Sequence, residues 1–411
     1  MTQKLCRFCH APLADVFVDL GMSPLSNGFL APDELDRGEV FYPLKTYVCR
    51  ECLLVQLEQF EAPEQIFSDY LYFSSFSTSW LEHARAYVDM IIPRLGLTPQ
   101  SQVMEIASND GYLLQYFQAA GIPVLGIEPA ANVAEAARHK GIETLTEFFG
   151  VRLAKQLVST GKPADLLLGN NVLAHVPDLN DFVAGLAMLL EENGIITLEF
   201  PHLLHLIRDN QFDTIYHEHF SYFSLHTVCR VFAHHGLTIF DVEELPTHGG
   251  SLRIYACHKG SARFSRGARM DQVLAAEAAM GMHGLPAYLA FSAQVHRCKR
   301  ELLRFLIQQQ DAGHKVVAYG APAKGNTLLN YCGIREDLLA FTVDRSPHKQ
   351  GRYLPGTRIP VLAPKAIDEA RPDFILILPW NLQDEIMGQL AHVRDWGCRF
   401  VIPIPSVRIL P

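Results

Sequence analysis

Val103-Met-Glu-Ile-Ala-Ser-Asn-Asp-Gly111 is the stretch on which the fold turns. A short strand pattern, Gln102–Ile106, runs into a turn of small and polar residues, and a helical pattern, Tyr112–Ala120, follows. Strand, tight turn and helix form the opening unit of a doubly wound α/β sheet. Ligands of such sheets bind beyond the C-terminal ends of the strands, where this turn lies. The turn lacks the G-x-G-x-x-G spacing that lets a backbone press on a pyrophosphate. Small residues beside an acid suit a cofactor with an amino-acid moiety instead. Asp110, beside Asn109, can accept from an ammonium group, and Gly111 lets the backbone come close.

Working outward, helix and strand patterns alternate from about residue 75 to residue 260. The helical pattern Trp80–Leu95 precedes the turn. Strand Val124–Glu128, helix Ala131–Lys140, strand Leu166–Gly169, helix Leu179–Glu192 and strand Ile195–Glu199 follow it. Leu237–Val242 and Ser251–Ala256 read as a final antiparallel pair. Glu128 ends the second strand, 23 residues after Glu105, where a carboxylate can receive both hydroxyls of a ribose. Asn170 and Asn171, after the next strand, are placed to line the reactive end. A single acid of this kind is more often a solvated helix-start residue held by the helix dipole. The ordered set fits S-adenosylmethionine.

A chain of 411 residues is too long for one ordinary core, so two or three domains are expected. The expected boundaries are a cysteine-rich module over 1–70, the α/β domain over 71–262, and a second Rossmann-like α/β domain over 263–411. A polar helical stretch, residues 271–312, connects the last two. The net charge of −9 and the lack of any Lys/Arg run argue against a nucleic-acid partner. Neither a signal core nor a membrane-spanning apolar run is visible, so a cytoplasmic protein is expected. Whether it is a monomer or a homo-oligomer is left open.

Four of the nine cysteines form the pairs Cys6-Arg-Phe-Cys9 and Cys49-Arg-Glu-Cys52, separated by 39 residues. Each pair can present two thiolates to one tetrahedral ion, which predicts a structural zinc. Four cysteines close the coordination shell, so a catalytic water has no place, and His10 reads as a bystander. Neither pair follows a strand at the mouth of a long helix, which disfavours a redox role.

After the strand ending Glu199-Phe-Pro201 comes Ile215-Tyr-His-Glu-His-Phe-Ser-Tyr-Phe-Ser224. On a strand His217 and His219 would share a face; on a helical turn Tyr216 and His219 would converge instead. Histidine titrates near neutrality and tyrosine can donate to a developing oxyanion. An aromatic core segment with surface histidines is the bland alternative. The zincin spacing is absent, so this is no metal motif.

The whole chain resembles the S-adenosylmethionine-dependent sugar C-methyltransferases that act on nucleotide-linked 4-keto-6-deoxy sugars. The likeness rests on the two Cys pairs, Asp69-Tyr-Leu-Tyr-Phe-Ser-Ser75, the E-x-x-x-N-D-G turn, Tyr216-His-Glu-His219, Gly249-Gly-Ser-Leu-Arg253 and Gly320-Ala-Pro-Ala-Lys-Gly-Asn-Thr327. The resemblance implies His219 as the base that takes the C-3 proton. It also implies Tyr216 and Glu218 as groups that position that base or stabilise the enolate. Tyr70, with Tyr72 and Tyr222, would face the substrate. Ala107 departs from the glycine of many relatives and bears on how closely the backbone meets the cofactor.

In the C-terminal block, strand Val316–Tyr319 leads into Gly320-Ala-Pro-Ala-Lys-Gly-Asn326 and a helix. Lys324, Asn326 and the helix N-terminus can hold the diphosphate of a nucleotide sugar, although Pro322 removes one amide donor. Asp344-Arg-Ser-Pro-His-Lys349 is placed for base or ribose contacts. A 4-keto group also acidifies C-5, so regiochemistry, nucleotide and stereochemistry are open. The rivals are an O- or N-methyltransferase of a small metabolite and a non-catalytic zinc-containing binding protein.

Overall fold

The computed structural model describes residues 3–62 and 73–411. Tyr70 and Tyr72 lie outside them. The chain divides into two compact units, one of residues 1–13, 49–202 and 220–283, the other of residues 14–48, 203–219 and 284–411.

The first unit holds a seven-stranded sheet in the order Leu237–Leu245, Ser251–His258, Leu190–Pro201, Ala164–Asn170, Val103–Ile106, Val124–Ile127, Thr144–Leu145. The five strands from Leu190–Pro201 to Thr144–Leu145 run parallel; Ser251–His258 pairs antiparallel with Leu190–Pro201, and Leu237–Leu245 antiparallel with Ser251–His258. All four residues of Val103–Ile106 are buried, including Glu105, as in a strand covered on both faces by helices. From this strand the chain goes to Val124–Ile127 and Thr144–Leu145 on one side, then crosses to Ala164–Asn170 on the other. That reversal opens the crevice in which such folds bind ligands.

Helix Thr78–Leu95 starts where Ser77 accepts from the Trp80 N–H and ends at Gly96 in the left-handed region. Its buried residues Trp80, Ala84, Tyr87, Val88, Ile91 and Leu95 recur at helical spacing on one face. The α/β expectation for this part of the chain holds. The two-residue strand Thr144–Leu145 and helices Val151–Ser159 and Leu225–His234 are additional to the elements read from sequence.

The second unit holds a six-stranded sheet, Val361–Leu362, Thr342–Val343, Val316–Tyr319, Phe374–Ile377, Arg399–Ile402, Arg408–Leu410, of which only the last strand is antiparallel. It also includes the antiparallel hairpin Asp15–Ser23 and Tyr42–Val48. The helical stretch expected over 271–312 is broken into Ala268–Ala279, Leu285–Leu289 and Phe291–Asp311. Gly281, with φ +75°, falls at the first break. No helix among the described residues is long and apolar enough to cross a membrane.

Candidate active site

A cleft open to solvent lies at the C-terminal ends of Val103–Ile106, Val124–Ile127 and Ala164–Asn170. Asn109, Glu128, Asn170 and Asn171 line it, as do Trp80, Tyr112 and His175. The last three were not singled out from sequence; Trp80 arrives on a helix far from the turn and carries no local signal.

Asn109 has φ +50° and Ala107 φ +57°. The Asn109 amide donates to Glu128 Oε2 at 2.9 Å, and its side-chain oxygen accepts from the Ser74 N–H at 2.8 Å. Glu128 Oε1 accepts from the Ala130 N–H at 2.9 Å. Burial raises the Glu128 pKa, and these two amides oppose it. Each carboxylate oxygen has a second lone pair to offer a hydroxyl.

Asp110 is not among the cleft-lining residues; its Oδ2 accepts from Lys140 Nζ at 3.0 Å. Gly111, at φ +74°, sits where an added Cβ would fall 2.3 Å from Ile142 Cδ1. Its need for glycine is thus packing and backbone shape. Asn170 Nδ2 donates to Tyr112 Oη at 3.1 Å, and Asn171 Nδ2 lies 3.0 Å from His248 Nε2. Glu105 is fully buried, and desolvation, with the charges of Glu128 and Asp110, holds its pKa well above the carboxylate range.

In the second unit, residues 216–219 form a turn closed by the His219 N–H on the Tyr216 carbonyl at 2.9 Å. The turn brings the Tyr216 and His219 rings to 4.1 Å between centroids, the arrangement foreseen for a helical turn. Thr214 O can only accept, so His219 Nδ1, 2.9 Å away, is the donor. A neutral His219 therefore carries its basic lone pair on Nε2. Glu218 is buried, which pushes its pKa to about 7 against the Asn27 Nδ2 hydrogen bond of 2.6 Å. His217 is drawn down to about 4 by burial and packs edge-on against Tyr42, so it is neutral near pH 7.

After strand Val316–Tyr319, Gly320 has φ +90°, and a Cβ there would meet Pro379 Cδ at 2.5 Å. Lys324 Nζ donates to Asn381 Oδ1 at 2.8 Å and lies 4.5 Å from the Trp380 ring centroid. Burial lowers its pKa, and Asp213 counters that. Asp213 is buried, held at about 6, and accepts from Trp380 Nε1 at 2.7 Å. Asn326 donates to Ser26 O and is buried. Asp344 accepts from the Ala321 and Ser346 amides, both at 2.8 Å. Tyr222 belongs to the first unit, buried in the short strand Ser221–Tyr222 that pairs with Val55–Leu57.

The Sγ atoms of Cys6, Cys9, Cys49 and Cys52 lie within 4.8 Å of one another. The two knuckles are built alike. Cys6 N donates to Ala11 O and Cys49 N to Leu54 O; His10 N donates to Cys6 O and Leu53 N to Cys49 O. His10 and Leu53, at φ 60° and 61°, complete the match. Gln56 Nε2 donates to Cys6 Sγ at 3.2 Å, the outer support a bound thiolate needs. Four converging sulfurs fit tetrahedral zinc.

The chain is 36% identical to the C-methyltransferase NovU of Streptomyces niveus over 98% of its own length and 96% of that protein's. Residues 246–405 match a model described as "C-methyltransferase C-terminal domain". It belongs to the C-methyltransferase family. Residues 80–242 of this C-methyltransferase match a "Methyltransferase domain" model and residues 6–67 one described as "Putative zinc binding domain". A ubiquinone biosynthesis O-methyltransferase of Bartonella quintana is 27% identical over 23% of this chain and 39% of its own. The solved magnesium protoporphyrin IX methyltransferase of Synechocystis PCC 6803 with bound SAM is 16% identical. It covers 49% of this chain and 100% of its own at a TM-score of 0.37, which adds nothing to the family assignment. The C-methyltransferase is S-adenosylmethionine-dependent and carries a zinc-binding module.

Proposed function

We propose that the enzyme methylates C-3 of a nucleotide-linked 4-keto-6-deoxy sugar, in the biosynthesis of an unusual deoxysugar. The observation that carries this reading is the Tyr216–His219 pair. Its imidazole is held by Nδ1 on the Thr214 carbonyl, which leaves Nε2 as the basic nitrogen. A C–H beside a ketone is acidic enough for a neutral imidazole when donors stabilise the enolate. His219 Nε2 takes the C-3 proton, and the electron pair moves onto the C-4 oxygen. Glu218, neutral up to about pH 7, and the Tyr216 hydroxyl supply donors to that oxygen. S-adenosylmethionine, when bound, supplies an electrophilic methyl group whose carrier leaves as a neutral thioether.

In this reading Glu128 receives the ribose of the cofactor, and Asn109, Asp110, Gly111, Asn170 and Asn171 shape its amino-acid and reactive ends. Residues 1–70 serve as the zinc module, 71–262 as the methyl-donor domain and 263–411 as the nucleotide-sugar domain. Lys324 and Asn326 bind the diphosphate side of the substrate.

The test is to incubate nucleotide 4-keto sugars with enzyme in deuterated buffer and follow C-3 exchange and the gain of one methyl group by mass. Exchange at C-3 that His219→Ala abolishes is expected. Methyl transfer without any exchange at carbon would favour an O- or N-methyltransferase, and exchange at C-5 alone would move the reaction to that carbon.

A further inference from the structure

Arg7, directly after the first cysteine, reaches beyond the metal knuckle. Arg7 Nη1 donates to the Pro177 carbonyl at 2.7 Å, Nη2 donates to Leu57 O, and the guanidinium lies 5.5 Å from the Phe220 ring centroid. Pro177, Val176 and His175 form one wall of the cleft that also holds Asn109 and Glu128, which is the cofactor cleft on the function proposed above, and the inference rests on that reading. The other end of that wall is tied by the Phe220 N–H on Ala174 O at 2.7 Å. Arg7 thus grips one end of the segment directly and packs on the residue that holds the other.

The grip is rooted in the metal module. The Arg7 N–H donates to Gln56 Oε1 at 2.9 Å, and the Nε2 of the same glutamine donates to Cys6 Sγ. Asn180, three residues beyond Pro177, donates back to the knuckle carbonyl Phe8 O at 2.9 Å. Pro177 has no N–H, so its own carbonyl is the backbone group through which this corner can be held. A loop at the C-terminal end of a sheet strand is otherwise the least constrained part of such a fold.

We propose that Arg7 is a positioning residue through which the four-cysteine module sets the geometry of the cofactor-cleft wall His175–Pro177, so that metal retention and cofactor affinity are linked. Linkage of two binding equilibria is reciprocal. Bound cofactor therefore raises the affinity for the metal, and a loosened grip weakens cofactor binding.

The experiment uses the full-length, zinc-loaded enzyme. Zinc content is measured by metal analysis, S-adenosylhomocysteine affinity by calorimetry, and zinc release to a chromogenic chelator with and without S-adenosylhomocysteine. Arg7→Ala is expected to keep its zinc while its Kd for S-adenosylhomocysteine rises about tenfold, the effect of losing one charge-assisted hydrogen bond. Arg7→Lys, which keeps one cationic donor, should recover part of that loss. In the wild type S-adenosylhomocysteine should reduce the zinc released to the chelator at equilibrium, and in Arg7→Ala it should not. An unchanged Kd in zinc-loaded Arg7→Ala overturns the proposal. So does wild-type zinc release that is indifferent to S-adenosylhomocysteine, a measurement that stands even if the variant fails to fold.

Discussion

Asn27 donates its side-chain amide to Glu218 Oε1 at 2.6 Å across 191 positions of sequence. The bond fixes Oε1 as an acceptor, so the proton of the neutral acid sits on Oε2. Burial places the pKa at about 7. If the neutral acid donates to the enolate oxygen, kcat falls as pH rises through about 7. Glu218→Gln, a permanent donor, should lose that limb in a pH–rate profile. Asn27→Ala, which removes a bond to the ionised form, should move the limb upward. A limb that persists unchanged in Glu218→Gln would assign it to another group.

Glu105 predicts a stability effect with a definite sign. Its folded pKa lies well above the unfolded value, so the folded state binds a proton that the unfolded state releases. That difference destabilises the wild type above the unfolded pKa and vanishes below it. Glu105→Gln removes the titration. Its Tm advantage over wild type in thermal melts should therefore grow as pH rises above the unfolded glutamate pKa, roughly 4.3, until Glu105 ionises in the fold. An advantage that shrinks with pH would mean that Glu105 is ionised in the fold.

Ala107 stands at φ +57°, a region where a Cβ costs roughly 1–2 kcal/mol. Glycine relieves that strain, and its greater freedom in the unfolded chain returns part of the gain. Ala107→Gly is expected to stabilise the protein by up to about 1 kcal/mol in denaturant titration. Destabilisation would show that the methyl group packs better than the backbone suffers.

Removing the metal should unfold the knuckles, since four sulfurs, three of them on buried residues, are gathered within 4.8 Å of one another. One zinc per chain, lost only to strong chelators or thiol-modifying reagents and accompanied by a lower Tm, is the expected result. A metal-free protein with an unaltered melt would count against a structural ion.

Local signals carried part of this outcome. The two Cys pairs, the strand–turn–helix at Val103–Gly111 and the acid at Glu128 are set by neighbours in sequence, and each is where its spacing placed it. The cleft residues Trp80 and His175 were missed because only the tertiary fold brings a helix and a loop to the same mouth. The histidine-rich turn was visible, but its choice between strand and turn was not. That choice depends on distant anchors: Thr327 Oγ1 donates to Ile215 O, and Trp380 Nε1 to Asp213. Strand Thr144–Leu145 has only two residues, too few to show a period. Asp110 and Gly111 were legible as turn residues, while their partners, Lys140 and Ile142, lie about thirty residues on and gave no sign of themselves.

The paired knuckles also stand at the neck of an excursion. The chain leaves the first unit after Leu13 and re-enters it at Cys49, so an ion bound by all four sulfurs would clasp both ends of a closed loop. The entropy of closing such a loop grows only logarithmically with its length, about 0.6 kcal/mol per doubling. With its ends pinned, the intervening stretch can lengthen, shorten or change composition at little thermodynamic cost to the knuckles. Asn27, the partner of Glu218, is carried on that stretch. Variation there is a cheap route by which relatives of this enzyme could retune an acid near the proposed chemistry while leaving the methyl-donor sheet untouched.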